Sequence, residues 1–324
     1  MPRLAIIVSA TGSIASLEGT LLSVLENRPA DCEIIVALNQ AYADPYDLKG
    51  EVRFVEQQGG AAPIARINRA LAATRAPFVH LLASGCEVTE GWTEPALSRF
   101  GDRQIASVGP LVMDATNRDR IFAAGVGYRR GGARVLVGHG STRLAPETES
   151  AARGACGFAA FYRKAALDFV GGPSCQLGPR QADVDLALVF ERAGFGFALE
   201  PRSRVFAAPE ADAVEAAFAR ALHEERLFWR NLPSHGRAKS LAAHAGLVAL
   251  EFLTSFARPR MLTQLAARTW GCSQVLGYAR HRRALEQLGQ RAPRPKAARE
   301  HLRIDAPHDT PSFSEPAAAR AQVR

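Results

Sequence analysis

The chain has 324 residues, of which 47% are hydrophobic and 22% are charged, a composition typical of a soluble folded protein with a sizeable core. Five scattered cysteines without a CxxC pair argue against a disulfide framework or a zinc cluster and favour a reducing cytosol, and no stretch reaches the ~20 apolar residues of a membrane-spanning helix. The net charge of +8 and the pI near 9.6 predict an acidic partner (a nucleotide phosphate, a nucleic acid or an anionic membrane face) or else a solubilising surface with a basic tail.

The N-terminal part alternates short apolar runs with helical patterns. Residues 4–8 are apolar throughout and too few for the core of a signal peptide, so they predict a first buried strand. Further strands are predicted at 33–38, 52–55 and 78–82, and helices at 17–27 and 63–72. This order indicates a mainly parallel, doubly wound α/β sheet.

Three loops follow these strands, at residues 9–11, 38–40 and 83–87. Ligands of open α/β sheets bind at the carboxyl ends of the strands, so we expect the floor of a binding site at residues 83–87. The hydroxyl-rich loop after the first strand would let a nucleotide approach backbone N–H groups. The sequence contains neither a GxGxxG after the first strand nor a P-loop.

The second half carries two acidic residues at the start of a predicted helix. Strands are expected at 105–112, 154–162 and 197–206, and residues 114–150 predict a long loop or a pair of irregular strands over a site. Asp183 and Asp185 open an apolar helix that ends at Gly194. They are either acids that complement the helix dipole in its first turn, or one of them is a general base facing the crevice.

Beyond these elements the pattern becomes helical and then polar. Helices are expected at 241–256 and 262–278, followed by a basic cluster at 280–283 and a disordered tail beyond 290. We therefore predict a domain at 1–210, a helical extension at 211–290 and a tail at 291–324. The extension either rests on an anionic membrane or packs on the main domain or on a second copy.

The order of these pieces resembles a family 2 glycosyltransferase with the GT-A fold, over about residues 3–235. The similar stretches are the first two strands, the helix at 65–71, the strand and Gly-Trp at 81–92, and residues 154–163, 171–172, 183–186, 192–194 and 225–231. The differences from the family pattern lie at the positions that would bind the metal or take part in catalysis. Leu38 or Asn39 replaces an aspartate, residues 83–85 replace the metal-binding Asp-x-Asp, Ala182 replaces a glutamate, and the late histidine near 206–208 is missing.

The resemblance implies roles for individual residues. Asp183 stands at the position of the family's base, and Asp185 is a supporting carboxylate or a structural partner of an arginine. Glu87 is the remaining carboxylate for a metal, so Mg²⁺ or Mn²⁺ would bind weakly or not at all. Arg66, Arg153 or Arg180 could neutralise phosphates instead. The implied donor-binding residues are Ser9, Thr11, Asn39, Arg66, Ala83, Ser84 and Gly85.

The resemblance implies an enzyme that moves a sugar from a nucleotide-sugar donor to a saccharide or lipid-linked acceptor, with inversion and without a tightly bound metal, in cell-envelope polysaccharide synthesis. The alternative is a binding or scaffold protein that keeps the fold and has lost turnover. A nucleic-acid partner is not expected. The expected location is the cytoplasm, with contact at the inner face of the membrane left open.

Overall fold

A mixed sheet of apolar strands forms the centre of the molecule. The structure is a computed structural model and describes residues 1–56, 62–207, 216–255 and 261–291. Its strands are β1 (Leu4–Ser9), β2 (Cys32–Ala37), β3 (Val52–Val55), β4 (Phe78–Ala83), β5 (Cys86–Val88), β6 (Ile105–Asp114), β7 (Ile121–Ala123), β8 (Val126–Tyr128), β9 (Arg134–Leu136), β10 (Ala159–Arg163) and β11 (Gly196–Ala207). The strands of the main sheet run in the order β3-β2-β1-β4-β10-β6-β11-β5, with β7 beside β6, and β8 and β9 form a separate hairpin.

The sheet is mainly parallel. β1 pairs in parallel with β2 and β4, β2 with β3, and β6 with β11, whereas β10 runs antiparallel between β4 and β6. Leu4 to Val8 of β1 are fully buried, as expected for a central strand covered on both faces. The carboxyl ends of β1 and β4 therefore lie side by side at one edge.

The helices are α1 (Ile14–Asn27), α2 (Pro63–Ala72), α3 (Thr93–Arg99), α4 (Pro146–Ala151), α5 (Lys164–Val170), α6 (Pro179–Arg192), α7 (Ala217–Asn231), α8 (Arg237–Ser255), α9 (Met261–Ser273) and α10 (Val275–Arg291). Helix α6 is the central one. Its residues from Gln181 to Phe190 are all buried, because α7 and α10 cover the side that faces away from the sheet. Polar side chains on α6 therefore need partners within the protein.

The sequence-based elements are confirmed for β1 to β4, α1 and α2, and several others shift. The predicted loop at 83–87 is wrong in part, because Cys86–Val88 is a strand that pairs with β11. The strand expected at 154–162 begins only at Ala159, and the region 114–150 contains β7, β8, β9 and α4. Helix α6 begins at Pro179, so Asp183 lies beyond its first turn.

In the C-terminal part, α8 begins at Arg237 rather than at 241, and the helix expected at 262–278 is divided into α9 and α10. The predicted domain boundary at 210 and the tail from 292 onward lie outside the described residues. Among the described helices, none combines the length and the hydropathy that crossing a bilayer requires.

A buried carboxylate, Glu225 on α7, attaches α8 and α9 to the rest of the protein. It accepts hydrogen bonds from Trp229 Nε1 (2.6 Å), from Arg268 Nη1 (2.9 Å) and from the Cys272 thiol (3.2 Å), and it lies 3.2 Å from His244 Nε2. Burial alone would raise the pKa of Glu225, but the hydrogen bond and charge of His244 and the bonds from Cys272 and Trp229 lower it to about 2. The helical extension is therefore held by a polar network as well as by apolar contacts.

His80, in the middle of β4, makes native stability depend on pH. It is fully buried and stacks on Phe161, with ring centroids 3.8 Å apart, and burial lowers its pKa to about 3. An unfolded histidine titrates near pH ~6.5, so the unfolded chain binds more protons between these values and stability falls as pH drops through this window. Replacing His80 by Leu removes this contribution.

In urea unfolding, we expect the native protein to lose about 1 kcal/mol more than His80→Leu between about pH 7 and about pH 5.5. The difference between the two midpoints should therefore change in favour of His80→Leu as the pH falls. Equal losses in both proteins would contradict the account of His80.

Candidate functional site

A cleft of about 360 Å³ opens where β1 and β4 end, between α2 and the start of α6. The sequence of α6 favours a helix start here, because Gly178 occupies the N-cap and Pro179 the first helical position. The described residues that line the cleft are Ser9, Thr11, Ala62, Pro63, Arg66, Ile67, Ala83, Arg134, Gly157, Phe158, Cys175, Leu177, Gly178, Pro179, Arg180, Asp183, Ala216, Ala219 and His223. Six of the residues considered from the sequence are thus brought together: Ser9, Thr11, Arg66, Ala83, Arg180 and Asp183.

Ser84 supports the floor of the cleft from behind. Its hydroxyl oxygen accepts hydrogen bonds from the backbone N–H groups of Thr11 (3.0 Å) and Gly12 (3.1 Å), and its own N–H donates to the carbonyl of Ser9 (2.9 Å). It is 3% exposed and is not one of the lining residues. Ser84 therefore fixes the loop after β1 rather than facing the cleft.

Gly85 makes the sharp turn between β4 and β5. Its φ of +88° lies in the left-handed region that glycine adopts without strain, and its N–H donates to Thr20 Oγ1 at 2.9 Å. Like Ser84, Gly85 is not one of the residues that line the cleft. Residues 83–85, expected together in the cleft, thus divide into one wall residue and two residues that shape the turn.

Two further predicted residues lie away from the cleft. The Glu87 carboxylate, on β5, accepts both of its hydrogen bonds from Arg118 Nη2, at 2.6 and 2.8 Å. Asn39 is exposed and borders a separate depression of about 10 Å³ beside Tyr42.

The residues at the strand ends do not fit a divalent cation. Hard cations need several oxygen ligands, commonly carboxylates. Ala83 and Gly85 have no side-chain oxygen that could bind a cation. The Ser84 hydroxyl already accepts hydrogen bonds from two N–H groups, and the Glu87 carboxylate is bound by Arg118. Over residues 1–56, 62–207, 216–255 and 261–291, no group of three His, Cys, Asp or Glu side chains is arranged to hold a metal.

Asp183 is the one carboxylate among the described lining residues, and both of its oxygens are occupied. Oδ1 accepts from Arg134 Nε (3.1 Å) and from its own neighbour Val184 N (2.7 Å). Oδ2 accepts from Arg134 Nη2 (2.7 Å) and from Gly157 N (3.0 Å). A carboxylate offers about four lone-pair sites, so this set is complete.

Gly157 permits this arrangement by having no side chain. A Cβ at this position would lie 3.3 Å from Asp183 Cβ and 3.4 Å from Oδ2. The backbone can therefore come close enough for its N–H to bind the carboxylate.

Arg134, in the β8–β9 hairpin, was missed by sequence reasoning. Its side chain is 8% exposed and binds Asp183 in the two-pronged geometry that suits a guanidinium and a carboxylate. The glycine-rich region that contains it was expected to lie over a site, and that is the signal that could have identified it.

The lining contains more positive than negative charge. Arg66 from α2 and Arg180 from α6 both border the cleft together with Arg134, and burial lowers the pKa of Arg66. Arg153, the third arginine considered from sequence, instead pairs with Glu191 at 2.7 Å on the surface. The cleft is thus suited to an anionic group.

Asp185 faces away from the cleft. Residues two apart on a helix are rotated by about 200°, so Asp183 and Asp185 cannot share a face. Asp185 accepts from Arg230 Nε (3.2 Å) and Nη2 (3.0 Å) and from Asn231 Nδ2 (2.7 Å), all on α7. In this structure its carboxylate joins α6 to α7.

Comparison with known proteins supports the architecture. No protein-family model matches the chain, and no curated protein matches it in sequence. The structure is similar to that of GalNAc-T7 with UDP, GalNAc and Mn²⁺ (14% identity, TM-score 0.59), covering 85% of this chain and 56% of that one. It is also similar to the mannosyltransferase PcManGT from Pyrobaculum calidifontis in complex with GDP-Man and Mn²⁺ (15% identity, TM-score 0.50), covering 85% of this chain and 87% of that one.

The chain thus spans about half the length of the first of these neighbours. At such low identity the likeness establishes the fold. The chain has the GT-A glycosyltransferase fold, a curled, mainly parallel α/β sheet, with further helices on its C-terminal side.

Replacing Asp185 by Asn should destabilise the protein strongly. Asp185 and Arg230 have side chains only 4% and 6% exposed, and removing one charge of such a buried pair costs about 3–5 kcal/mol. The free energy of unfolding in urea measures this loss. Asp168→Asn, which breaks an exposed pair with Lys164, is the matched control and should leave the midpoint nearly unchanged. Similar midpoints for both variants would contradict the structural role of Asp185.

Proposed function

We propose that the protein is a glycosyltransferase that moves a sugar from a nucleoside-diphosphate sugar to a hydroxyl of a saccharide or lipid-linked acceptor. The observation that carries the proposal is the cleft itself, which places a carboxylate, Asp183, across from the strand ends of a GT-A sheet. The ligands of the two structural neighbours, UDP with GalNAc in one and GDP-Man in the other, support this choice of donor.

The donor's diphosphate would lie against the arginines of the cleft. Leaving-group charge must be neutralised during sugar transfer, and fixed guanidinium groups do this without a metal. Arg66 and Arg180 are the candidates, with Ser9 and Thr11 beside them at the end of β1. The poor fit of residues 83–87 to Mg²⁺ or Mn²⁺ supports transfer without a tightly bound metal.

In the proposed step, Asp183 accepts a proton from the acceptor hydroxyl. The hydroxyl oxygen forms a bond to the anomeric carbon while the bond from that carbon to the diphosphate oxygen breaks. The nucleoside diphosphate leaves with the electron pair, and this direct attack inverts the anomeric centre. Because the lone pairs of Asp183 are all occupied, the hydroxyl must replace one of its present donors, such as a guanidinium nitrogen of Arg134.

The second candidate is a binding or scaffold protein without turnover. The four hydrogen bonds on Asp183 favour it, since a fully engaged carboxylate is a poor base, as does the absence of carboxylates at residues 83–85. Nucleotide binding without transfer would distinguish this candidate from the enzyme.

The family 2 assignment, a role in cell-envelope polysaccharide synthesis and a cytoplasmic location belong to the same proposal. So does the absence of a nucleic-acid partner, because the arginines that line the cleft are enclosed beside a carboxylate rather than spread over a surface.

We also propose contact with an anionic membrane surface, through α8, α9 and α10. In residues 241–254 and 261–273 the charged side chains are Glu251 and Arg268, and these two pair with each other. The outward positions of α8 and α9 carry several large apolar side chains, together with the exposed Thr254, Thr263, Thr269 and Ser273. The exposed large side chains on the three helices include Leu250 (63%), Leu253 (77%), Leu262 (69%), Trp270 (59%) and Leu276 (81%).

Helices with an apolar outer face and flanking basic residues are typical of proteins that lie on anionic lipid. Arg280 and Arg283 on α10 are exposed and follow Leu276 at intervals of four and seven residues, on the same side of the helix. This supports a lipid-linked acceptor, which would be presented at the same surface.

Asp183→Asn should lower turnover strongly in protein that still binds the nucleotide, although it leaves the buried Arg134 unpaired and so destabilises the fold. General-base catalysis contributes about 10²–10⁴-fold, so hydrolysis and transfer from a panel of UDP- and GDP-sugars should fall by that factor. Calorimetric titration with UDP and GDP, with and without Mn²⁺, should give similar affinities in both proteins. Glu191→Gln, a surface variant in the pair with Arg153, is the control for activity.

If the native protein binds UDP or GDP but turns over no donor, the scaffold candidate is correct. If it binds neither nucleotide, both candidates fail.

The membrane proposal predicts that Leu253→Glu combined with Leu262→Glu weakens binding to vesicles containing phosphatidylglycerol. Each leucine contributes about 1.5 kcal/mol or more when buried, so co-sedimentation should fall by at least about tenfold. Leu22→Glu on α1, 59% exposed in the native protein, is the matched control and should bind like the native protein. Equal binding by all three proteins would contradict lipid contact.

A further inference from the structure

A second cavity, of about 440 Å³, lies beside the first turn of α6 and is lined by the β8–β9 turn and by α7, α8 and α9. This volume falls within the range of small-ligand pockets, about 300–1,000 Å³. Arg134 and Arg180 line it as well as the first cleft. The two spaces therefore meet at the arginine that binds Asp183.

Gln181 is the observation that points to a ligand. It is 3% exposed and lines the second cavity, and its Oε1 has no hydrogen-bond partner in the described part of the chain. A buried polar atom without a partner costs about 1–3 kcal/mol, and such atoms are rare in folded proteins. A ligand hydroxyl donating to this oxygen would satisfy it.

The charges around the cavity favour a neutral ligand. Arg134, Arg180 and Arg268 line it together with Glu224 and Glu251, so charges of both signs face the same space. Arg134 is paired with Asp183, and Arg268 with both glutamates. Burial raises the pKa of Glu224, although the charge of Arg268 opposes this. An anion would meet two carboxylates and a cation would meet three guanidinium groups. A hydroxyl group can bind to all of them, because it both donates and accepts.

One wall of the cavity is apolar. Leu227, Leu247 and Leu250 line it, and Leu250 is also part of the exposed face of α8. A sugar ring has apolar C–H faces and hydroxyl edges, so it matches a cavity with one apolar wall and polar groups opposite. The cavity opens toward the surface for which membrane contact is proposed.

We propose that the second cavity binds the acceptor as a neutral saccharide, with a hydroxyl on Gln181 Oε1 and the reacting end at the Arg134–Asp183 pair. The identification of this saccharide as the acceptor rests on the proposed sugar transfer. Saccharide binding in the cavity does not depend on that proposed function, and it is tested separately.

The test uses the full chain and methyl glycosides of glucose, galactose, mannose and N-acetylglucosamine as probes, with the methyl glycoside of glucuronic acid, which carries a carboxylate, as the anionic control. Saturation-transfer NMR should detect at least one neutral glycoside and not the glucuronide. Gln181→Leu should weaken the binding of that glycoside by about tenfold or more, because it removes the side-chain oxygen that accepts the hydrogen bond and keeps a side chain of similar size. Leu247→Trp should weaken it by filling the cavity from the opposite wall.

Gln264→Leu, on α9 and outside both lined spaces, is the control and should bind like the native protein. UDP and GDP titrations run in parallel report on the first cleft and should not change in Gln181→Leu. Glycoside binding that is lost in both cavity variants supports the inference, even if no nucleotide binds and the proposed function fails. Nucleotide binding with no glycoside bound, or glycoside binding that survives both variants, overturns it.

Discussion

The buried pair of Arg134 and Asp183 is the interaction on which the site depends. It joins the β8–β9 hairpin, which is short and rich in glycine, to the central helix α6, and both charges are almost completely removed from water. A buried charge that loses its partner is strongly unfavourable, so each of the two side chains fixes the position of the other. The pair therefore holds the hairpin over the cleft and at the same time occupies the carboxylate that sugar transfer would need.

Helix α6 separates two environments by its geometry alone. Gln181 and Asp185 are four residues apart and share one side of the helix, toward α7, whereas Asp183 is rotated by about 200° from each of them and faces the cleft. A single buried helix thus presents a carboxylate to the cleft, a second carboxylate to the α7 arginine and an amide to the second cavity. The C-terminal helices are part of this arrangement because they complete the side of α6 that the sheet leaves uncovered.

The sequence predicted the architecture well where the signal is local. Unbroken apolar runs such as residues 4–8 and the proline at the start of α2 identified the strands and helices of the N-terminal half. The site was harder to predict because residues that are distant in sequence form it. Arg134 lies 49 residues from Asp183, and no periodicity marks Arg134. Asp183 was expected to be the base and Asp185 a supporting carboxylate or a structural partner of an arginine. Helical rotation places the two on different sides of α6, where Asp185 binds Arg230. Ser84 and Gly85 follow a strand as expected, yet backbone hydrogen bonds, which sequence does not reveal, turn them away from the cleft.

The most direct test of the account is a crystal structure with UDP or GDP bound in the absence of divalent metal. The account predicts that the diphosphate lies in the cleft at the ends of β1 and β4, with its oxygens on Arg66 or Arg180 and with Asp183 on the side where the sugar would follow. A nucleotide bound elsewhere, or a diphosphate ordered only when a metal is held at residues 83–87, would contradict it.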